Sequence, residues 1–275
     1  MSPVESDEED LTRKQRREQA RAGRRAMEEA EAAAAARRRR LSQLGTVVAA
    51  VVVVIVVILV ATGGGSKTKA PVAHSSVANK EAKAVEGLLA GIPQSGNVLG
   101  SPTAPVTLQY FGDLECPICK EFTLGALPTV IQKWVRSNKL KIEYRSLETA
   151  TREPETFRTQ QVAALSAGKQ NKMWNFVEIF YHEQGEEDTG YVTEKYLQGL
   201  AEQVPKLNLS TWTSDRNNNA LLSQVESDSQ AASNAGFTGT PSFLLGKSGG
   251  TLTKFEPGNL TSGTAFDEAI EKLLS

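Results

Sequence analysis

The chain has 275 residues, with 31 Lys and Arg against 32 Asp and Glu, a formal net charge of −1, and 40% hydrophobic residues. That leaves room for one membrane segment and one domain of ordinary size, and no whole-chain field argues for nucleic acid. Two cysteines cannot make a disulfide-dense scaffold or complete a four-ligand zinc site, and His74 and His182 are far apart in sequence, so no metal is expected.

The averages hide an asymmetry. Residues 1–40 hold 11 Lys/Arg and 9 Asp/Glu, ending in Arg37-Arg38-Arg39-Arg40. The stretch from Glu28 to Arg40 is Ala-rich and reads as a solvated cytosolic helix or a disordered tail. An apolar run from Val47 to Ala61 follows, inside an uncharged segment from Leu44 to Thr62. At about 1.5 Å per residue that segment makes a helix of roughly 28 Å, near the hydrocarbon thickness of a bilayer. Seven Arg lie in 21–40 and three Lys in 62–81, so the positive-inside bias puts the N-terminus in the cytoplasm. A cleaved signal peptide is the competing reading, and the long charged region ahead of the apolar run argues against it.

Gly63-Gly64-Gly65-Ser66 opens a flexible tether, in which residues 77–90 could form a short helix ended by Gly91 and Pro93. Val106 to Phe111 then reads as a strand and Cys116 to Asn138 as a helix kinked at Pro128. Leu140 to Leu147 alternates apolar and polar residues, a second strand, and this order implies a parallel crossover. Residues 153–235 read as mostly helical, with Met173, Phe176, Val177 and Phe180 on one face as core packing. Ser242 to Leu245 and Thr251 to Phe255 read as a hairpin, and Thr264 to Leu274 as a closing amphipathic helix. The plan is one α/β domain carrying a helical insert.

The chemistry lies at Cys116-Pro117-Ile118-Cys119. Cys116 falls at the start of a helix and Cys119 one turn inside it, with Pro117 where a first-turn proline is tolerated. Unpaired backbone N–H groups and the helix dipole favour a Cys116 thiolate, so its pKa should fall and make it the nucleophile. Cys119 is then within reach to form or resolve a disulfide. Two other readings compete with a redox-active dithiol. A structural disulfide closing so short a loop would constrain the unfolded chain little, and half a metal site has no second Cys or His pair nearby. Glu115 should oppose the thiolate and Lys120 assist it, each screened by solvent. A second motif, Gly239-Thr240-Pro241-Ser242-Phe243, sets a proline directly before a strand. A cis Thr240–Pro241 bond or an ordinary trans turn proline accounts for it.

The segment Phe111-Gly112-Asp113-Leu114-Glu115-Cys116-Pro117-Ile118-Cys119 resembles the active-site segment of DsbA-like thiol:disulfide oxidoreductases with a thioredoxin fold. Ala167 to Gln170 and Trp174 to Phe176 resemble the family's helical insert, and Gly236 to Phe243 its cis-proline loop. The likeness runs from about Gly91 to the C-terminus. It implies Cys116 as nucleophile, Cys119 as resolving cysteine, and Thr240-Pro241 as the loop that docks extended substrate beside the disulfide. Pro117 and Ile118 would start the active-site helix; the enterobacterial pattern has His where Ile118 stands, so stabilisation of the thiolate would rest more on the helix terminus.

The resemblance implies a cell-envelope protein that uses no cofactor beyond its redox-active disulfide. The expected layout is a charged cytoplasmic tail at 1–43, a transmembrane helix at 44–62, an extracytoplasmic linker at 63–100 and a DsbA-like thioredoxin domain at 101–275, with its insert at about 153–235. The expected activity is disulfide donation to exported proteins with thiols, with reoxidation by a membrane quinone-linked partner. A reductase or isomerase of the same fold, or a non-catalytic binding or chaperone module, is the alternative.

Overall fold

The computed structural model describes residues 76–275, with side chains from Lys80 onward. The predicted tail and the predicted membrane helix at 44–62 lie outside the described residues. Among those described, no helix is long and apolar enough to cross a membrane.

The domain opens with α1 (Ser76–Leu89), then a small hairpin, β1 (Gln94–Ser95) and β2 (Val98–Leu99). This corrects the linker expected over 63–100: from Ser76 onward the segment is built into the fold. Val85 and Leu89 of α1 are buried in the main core, and Glu81 pairs with His182 at 2.8 Å. The Arg136 guanidinium donates to the carbonyls of Leu88 and Ala90 at 2.8 and 2.9 Å, satisfying the open end of α1. Gly91 then takes a left-handed conformation, φ 74°, which ends the helix where a residue with a side chain would be strained.

The sheet runs β1-β2-β4-β3-β5-β6. Its centre is β3 (Val106–Gly112) beside β4 (Leu140–Ser146), paired in parallel from Val106↔Leu140 to Gly112↔Ser146. The other pairings are antiparallel, including β5 (Ser242–Lys247) on β3 and β6 (Thr253–Phe255) on β5. β4 shows the alternation read from its sequence, with Leu140, Ile142 and Tyr144 buried between half-exposed residues. One sheet face carries an aromatic cluster. Tyr110, Phe122, Phe243, Phe255 and Phe266 meet ring to ring at 4.8 to 6.5 Å, joining three strands to α2 (Pro117–Leu124) and α9 (Thr264–Leu274).

The long helix expected over Cys116–Asn138 is broken, and not at Pro128. It comprises α2, α3 (Ala126–Val130) and a π-helical turn over Ile131–Val135. The break falls at Gly125, where Ala126 N–H donates to Leu260 O at 3.0 Å. A Cβ at Gly125 would sit 2.6 Å from Glu121 O and 2.9 Å from Thr261 Cα, so only glycine lets this loop approach. Pro128 is the third residue of α3, where its missing N–H has no helical acceptor to lose.

The insert is five helices: α4 (Pro154–Gly168), α5 (Met173–Glu183), α6 (Glu194–Ala201), α7 (Leu209–Asp215) and α8 (Asn219–Asn234). Met173, Phe176, Val177 and Phe180 are buried, as their spacing indicated. The C-terminal end of α5 reaches the cysteine loop, where Gln184 donates to the carbonyls of Leu114 and Cys116. A smaller apolar cluster of Phe111, Leu147 and Ala232 sits on the opposite sheet face against α8.

Candidate active site

Four segments converge at the C-terminal end of β3. Cys116 is the residue that caps α2: its backbone is extended (φ −70°, ψ 119°), and its sulfur accepts from the Cys119 N–H at 3.4 Å. Pro117 is the first helical residue, and Ile118 is exposed at 45%. Cys119 is fully buried one turn on, and both cysteines are free thiols. Cys116 itself is only 5% exposed, so the nucleophile is a recessed sulfur. Across from it the Thr240–Pro241 bond is cis, and Thr240 O lies 3.4 Å from Cys116 Sγ.

The two sulfurs are tuned in opposite directions. Cys116 is pulled down to about 6, first by the Cys119 thiol that donates to it, then against burial by the Thr240 side chain and the backbone N–H groups of Cys119 and Ile118. Burial pushes Cys119 well above the ordinary thiol range, reinforced by its thiol's donation to Cys116 and by the Cys116 charge. One thiol is therefore a stable anion near neutrality and the other keeps its proton. That asymmetry is what directional thiol exchange requires.

Glu115 and Lys120 depart from expectation. Glu115 is 4% exposed, not solvent-screened, and burial raises its carboxyl to about 7 against a hydrogen bond from Thr151. Lys120 is partly buried and donates to Gln184 O at 3.4 Å; burial lowers its pKa. Each loses solvation because the end of α5 folds over the cysteine loop.

Sequence reasoning missed the groups that hold this loop. Asp113 is fully buried, and its carboxylate gathers donors from three sides. Oδ2 accepts the N–H groups of Thr149, Ala150 and Thr151 at 3.0, 2.9 and 2.9 Å. Oδ1 accepts Glu115 N–H at 3.1 Å and the Thr151 hydroxyl at 2.6 Å. The Asp113 carbonyl takes the Cys116 N–H and the Tyr181 hydroxyl, each at 3.1 Å. Gln184 closes the other side, with its bonds to Leu114 O at 2.7 Å and Cys116 O at 3.1 Å. The only sequence signal was an acid three residues ahead of the first cysteine.

Beside the cis-proline loop lies a groove of about 390 Å³ lined by Phe237, Pro241, Phe243, Lys254, Phe255 and Leu260 among others. A roomier cavity of about 500 Å³ opens between α4 and α8 around Arg158 and Arg216, and it contains neither cysteine. Among the described residues no three His, Cys, Asp or Glu side chains are grouped as metal ligands.

A thioredoxin family model matches residues 94–251, which span the cysteine pair, the insert and the cis-proline loop. The chain belongs to the thioredoxin family. It is a DsbA-like thiol:disulfide oxidoreductase. It is 23% identical over 175 residues to a probable disulfide bond formation protein D of Bacillus anthracis, covering 63% of this chain and 79% of that one. The crystal structure of oxidised BdbD from Bacillus subtilis shares its fold at a TM-score of 0.56 and 24% identity, over 66% of this chain and 96% of that one. So does α-DsbA1 of Wolbachia pipientis, at 0.54 and 18%, over 67% and 92%.

Proposed function

We propose that the protein is an extracytoplasmic thiol oxidase, tethered to the membrane by residues 44–62, that donates the Cys116–Cys119 disulfide to exported proteins. The observation that carries this reading is the placement of Cys116 at the N-terminus of α2, its sulfur accepting the Cys119 N–H at 3.4 Å beside the cis Thr240–Pro241 bond, with Cys119 fully buried; this setting lowers the Cys116 thiol to about 6 and raises Cys119. A client thiolate attacks Cys116 Sγ, the Cys116–Cys119 bond breaks, and Cys119 leaves with the electron pair and takes up a proton. A second client thiolate then attacks the client sulfur of the mixed disulfide and expels Cys116 as its thiolate. The client gains one disulfide and the enzyme is left with two electrons as a dithiol. A thiolate with a pKa near 6 is a good leaving group, which favours this second step.

The groove beside Pro241, with Phe237, Phe255 and Leu260, and the exposed Ile118 offer apolar contact for an extended client segment. Pro117 sets the helix start that presents Cys116, and Thr240 and Pro241 face it. Reoxidation requires an acceptor for the two electrons, and a membrane quinone-linked partner fits an enzyme held at the bilayer. Beyond the cysteine pair the chemistry needs no cofactor.

The test is capture. With Cys119→Ala the mixed disulfide cannot be resolved internally, so exported proteins should accumulate on Cys116 as reducible adducts, and Cys116→Ser should abolish them. Adducts absent from Cys119→Ala, with partners still bound by Cys116→Ser, would make this a binding module instead.

A further inference from the structure

The C-terminal end of α5 holds the backbone of the nucleophile from both sides. Tyr181 donates its hydroxyl to Asp113 O at 3.1 Å, and the same carbonyl accepts the Cys116 N–H at 3.1 Å. Three residues on, Gln184 leaves the helix with φ −56° and ψ 125°. Its side-chain nitrogen donates to Leu114 O at 2.7 Å and to Cys116 O at 3.1 Å. Both partners are carbonyls, so only the nitrogen of the amide can face them, and both of its protons are spent on the cysteine loop.

These contacts bear on one torsion. Cys116 ψ, at 119°, is the rotation that joins the sulfur-bearing Cα to α2. On one side of that Cα the N–H is held at Asp113 O. On the other side the carbonyl accepts from Gln184 and from the Lys120 N–H, the first bond of α2, at 3.1 Å. With both peptide groups tied, ψ is set, and the Cys119 N–H stays 3.4 Å from Cys116 Sγ. Without Gln184 the Cys116 carbonyl would keep only its bond inside α2. Carbonyl and helix could then turn together about ψ and draw the Cys119 N–H off the sulfur.

We propose that Gln184 is a positioning residue for thiol exchange: its amide, donating to Cys116 O, sets the Cys116 backbone so that the sulfur stays on the Cys119 N–H. The role rests on the reading of Cys116 as the attacking thiol. Gln184 acts through the Cys116 carbonyl and not on the sulfur itself. It gives the helical insert a part in the chemistry, since α5 belongs to the insert whereas Cys116 and Cys119 do not. A hydrogen bond to a charged group is stronger than a neutral one, so an N–H drawn off a thiolate is measurable at the sulfur.

The experiment is a pH titration of the thiolate ultraviolet absorbance of the reduced full-length protein, paired with its equilibrium constant against glutathione. Gln184→Met keeps the length of the side chain and removes both donors, at a half-buried position where the fold should persist. It should lower the thiolate-to-thiol ratio of Cys116 at least about threefold at a given pH and shift the glutathione equilibrium toward the disulfide. Gln184→Glu is isosteric, and its carboxylate can only accept, so at neutral pH it should lower the ratio at least as far. A purely structural role would lower the denaturation midpoint of both variants and leave the ratio alone. A Gln184→Met ratio that changes by less than threefold, whatever its stability, overturns the proposal. A Gln184→Glu protein that titrates like wild type also overturns it. A wild-type Cys116 that titrates as an ordinary thiol would instead bring down the functional reading itself, which keeps the two failures distinguishable.

Discussion

The opposed tuning of the two cysteines makes the redox equilibrium depend on pH in a calculable way. Cys116 falls from an ordinary value of 9.0 to about 6 in the folded dithiol, while Cys119 stays protonated throughout. A depressed folded pKa stabilises the reduced protein fully above the ordinary thiol pKa, and that stabilisation is lost as pH falls through 6. At pH 7 it is a factor of about 11, or about 1.4 kcal/mol, and at pH 5 it is close to zero. Glutathione remains a protonated thiol over this range, so pH acts through the enzyme. The equilibrium constant for reduction by glutathione should therefore rise about tenfold from pH 5 to pH 7, equivalent to about 30 mV for this two-electron couple. The assay equilibrates full-length protein in glutathione buffers at pH 5, 6 and 7 and counts free thiols by alkylation and mass. Glu115→Gln run alongside removes the other active-site carboxyl that titrates here, at about 7. An equilibrium constant that stays within twofold across the range would refute the thiolate.

Three further outcomes rest on particular residues. Asp113→Asn places an amide donor against backbone N–H groups that have no other acceptor, and chemical denaturation should show a loss of about 2–5 kcal/mol, with under 1 kcal/mol contradicting the cage. Gly125→Ala drives a Cβ to 2.6 Å from Glu121 O, so its melting temperature should fall by several degrees, where an unchanged value would mean the 260–261 loop yields freely. Glu178 is buried at 1% exposure with an unpartnered oxygen, and burial lifts it to about 8. Holding that proton costs stability as pH rises from the ordinary carboxyl range toward 8, so Glu178→Gln should gain up to about 3 kcal/mol at pH 7 and flatten stability between pH 5 and 8. A variant as pH-dependent as wild type would count against it.

The sequence was most legible where one residue type permits one geometry. The alternation of Leu140, Ile142 and Tyr144 and the closing helix over Thr264–Leu274 needed only local pattern. The same holds for the cysteines at a helix start, since Pro117 suits a first turn and little else. Errors came where a distant segment decides. The break at Gly125 is dictated by the approach of Leu260 and Thr261, which lie far along the chain, while Pro128 drew attention and turned out harmless. The 76–100 stretch looked like tether because its flanks are rich in Gly and Pro, yet Val85 and Leu89 are buried in the core, α1 packs on α5, and the hairpin pairs with β4. At the site, the helix terminus was credited with lowering Cys116, whereas the largest cause is donation from the Cys119 thiol. Glu115 was placed in solvent for want of any local sign that the end of α5 and the 149–151 loop close over it.

The central claim is that the Cys116–Cys119 couple gives its disulfide away. Its standard reduction potential at pH 7, measured on the full-length protein against glutathione, tests that claim most directly. The account predicts a value well above about −270 mV, the range of a thioredoxin that reduces its partners. A value at or below it would mean that the disulfide is held and not donated, and would make the protein a reductase that draws electrons from elsewhere.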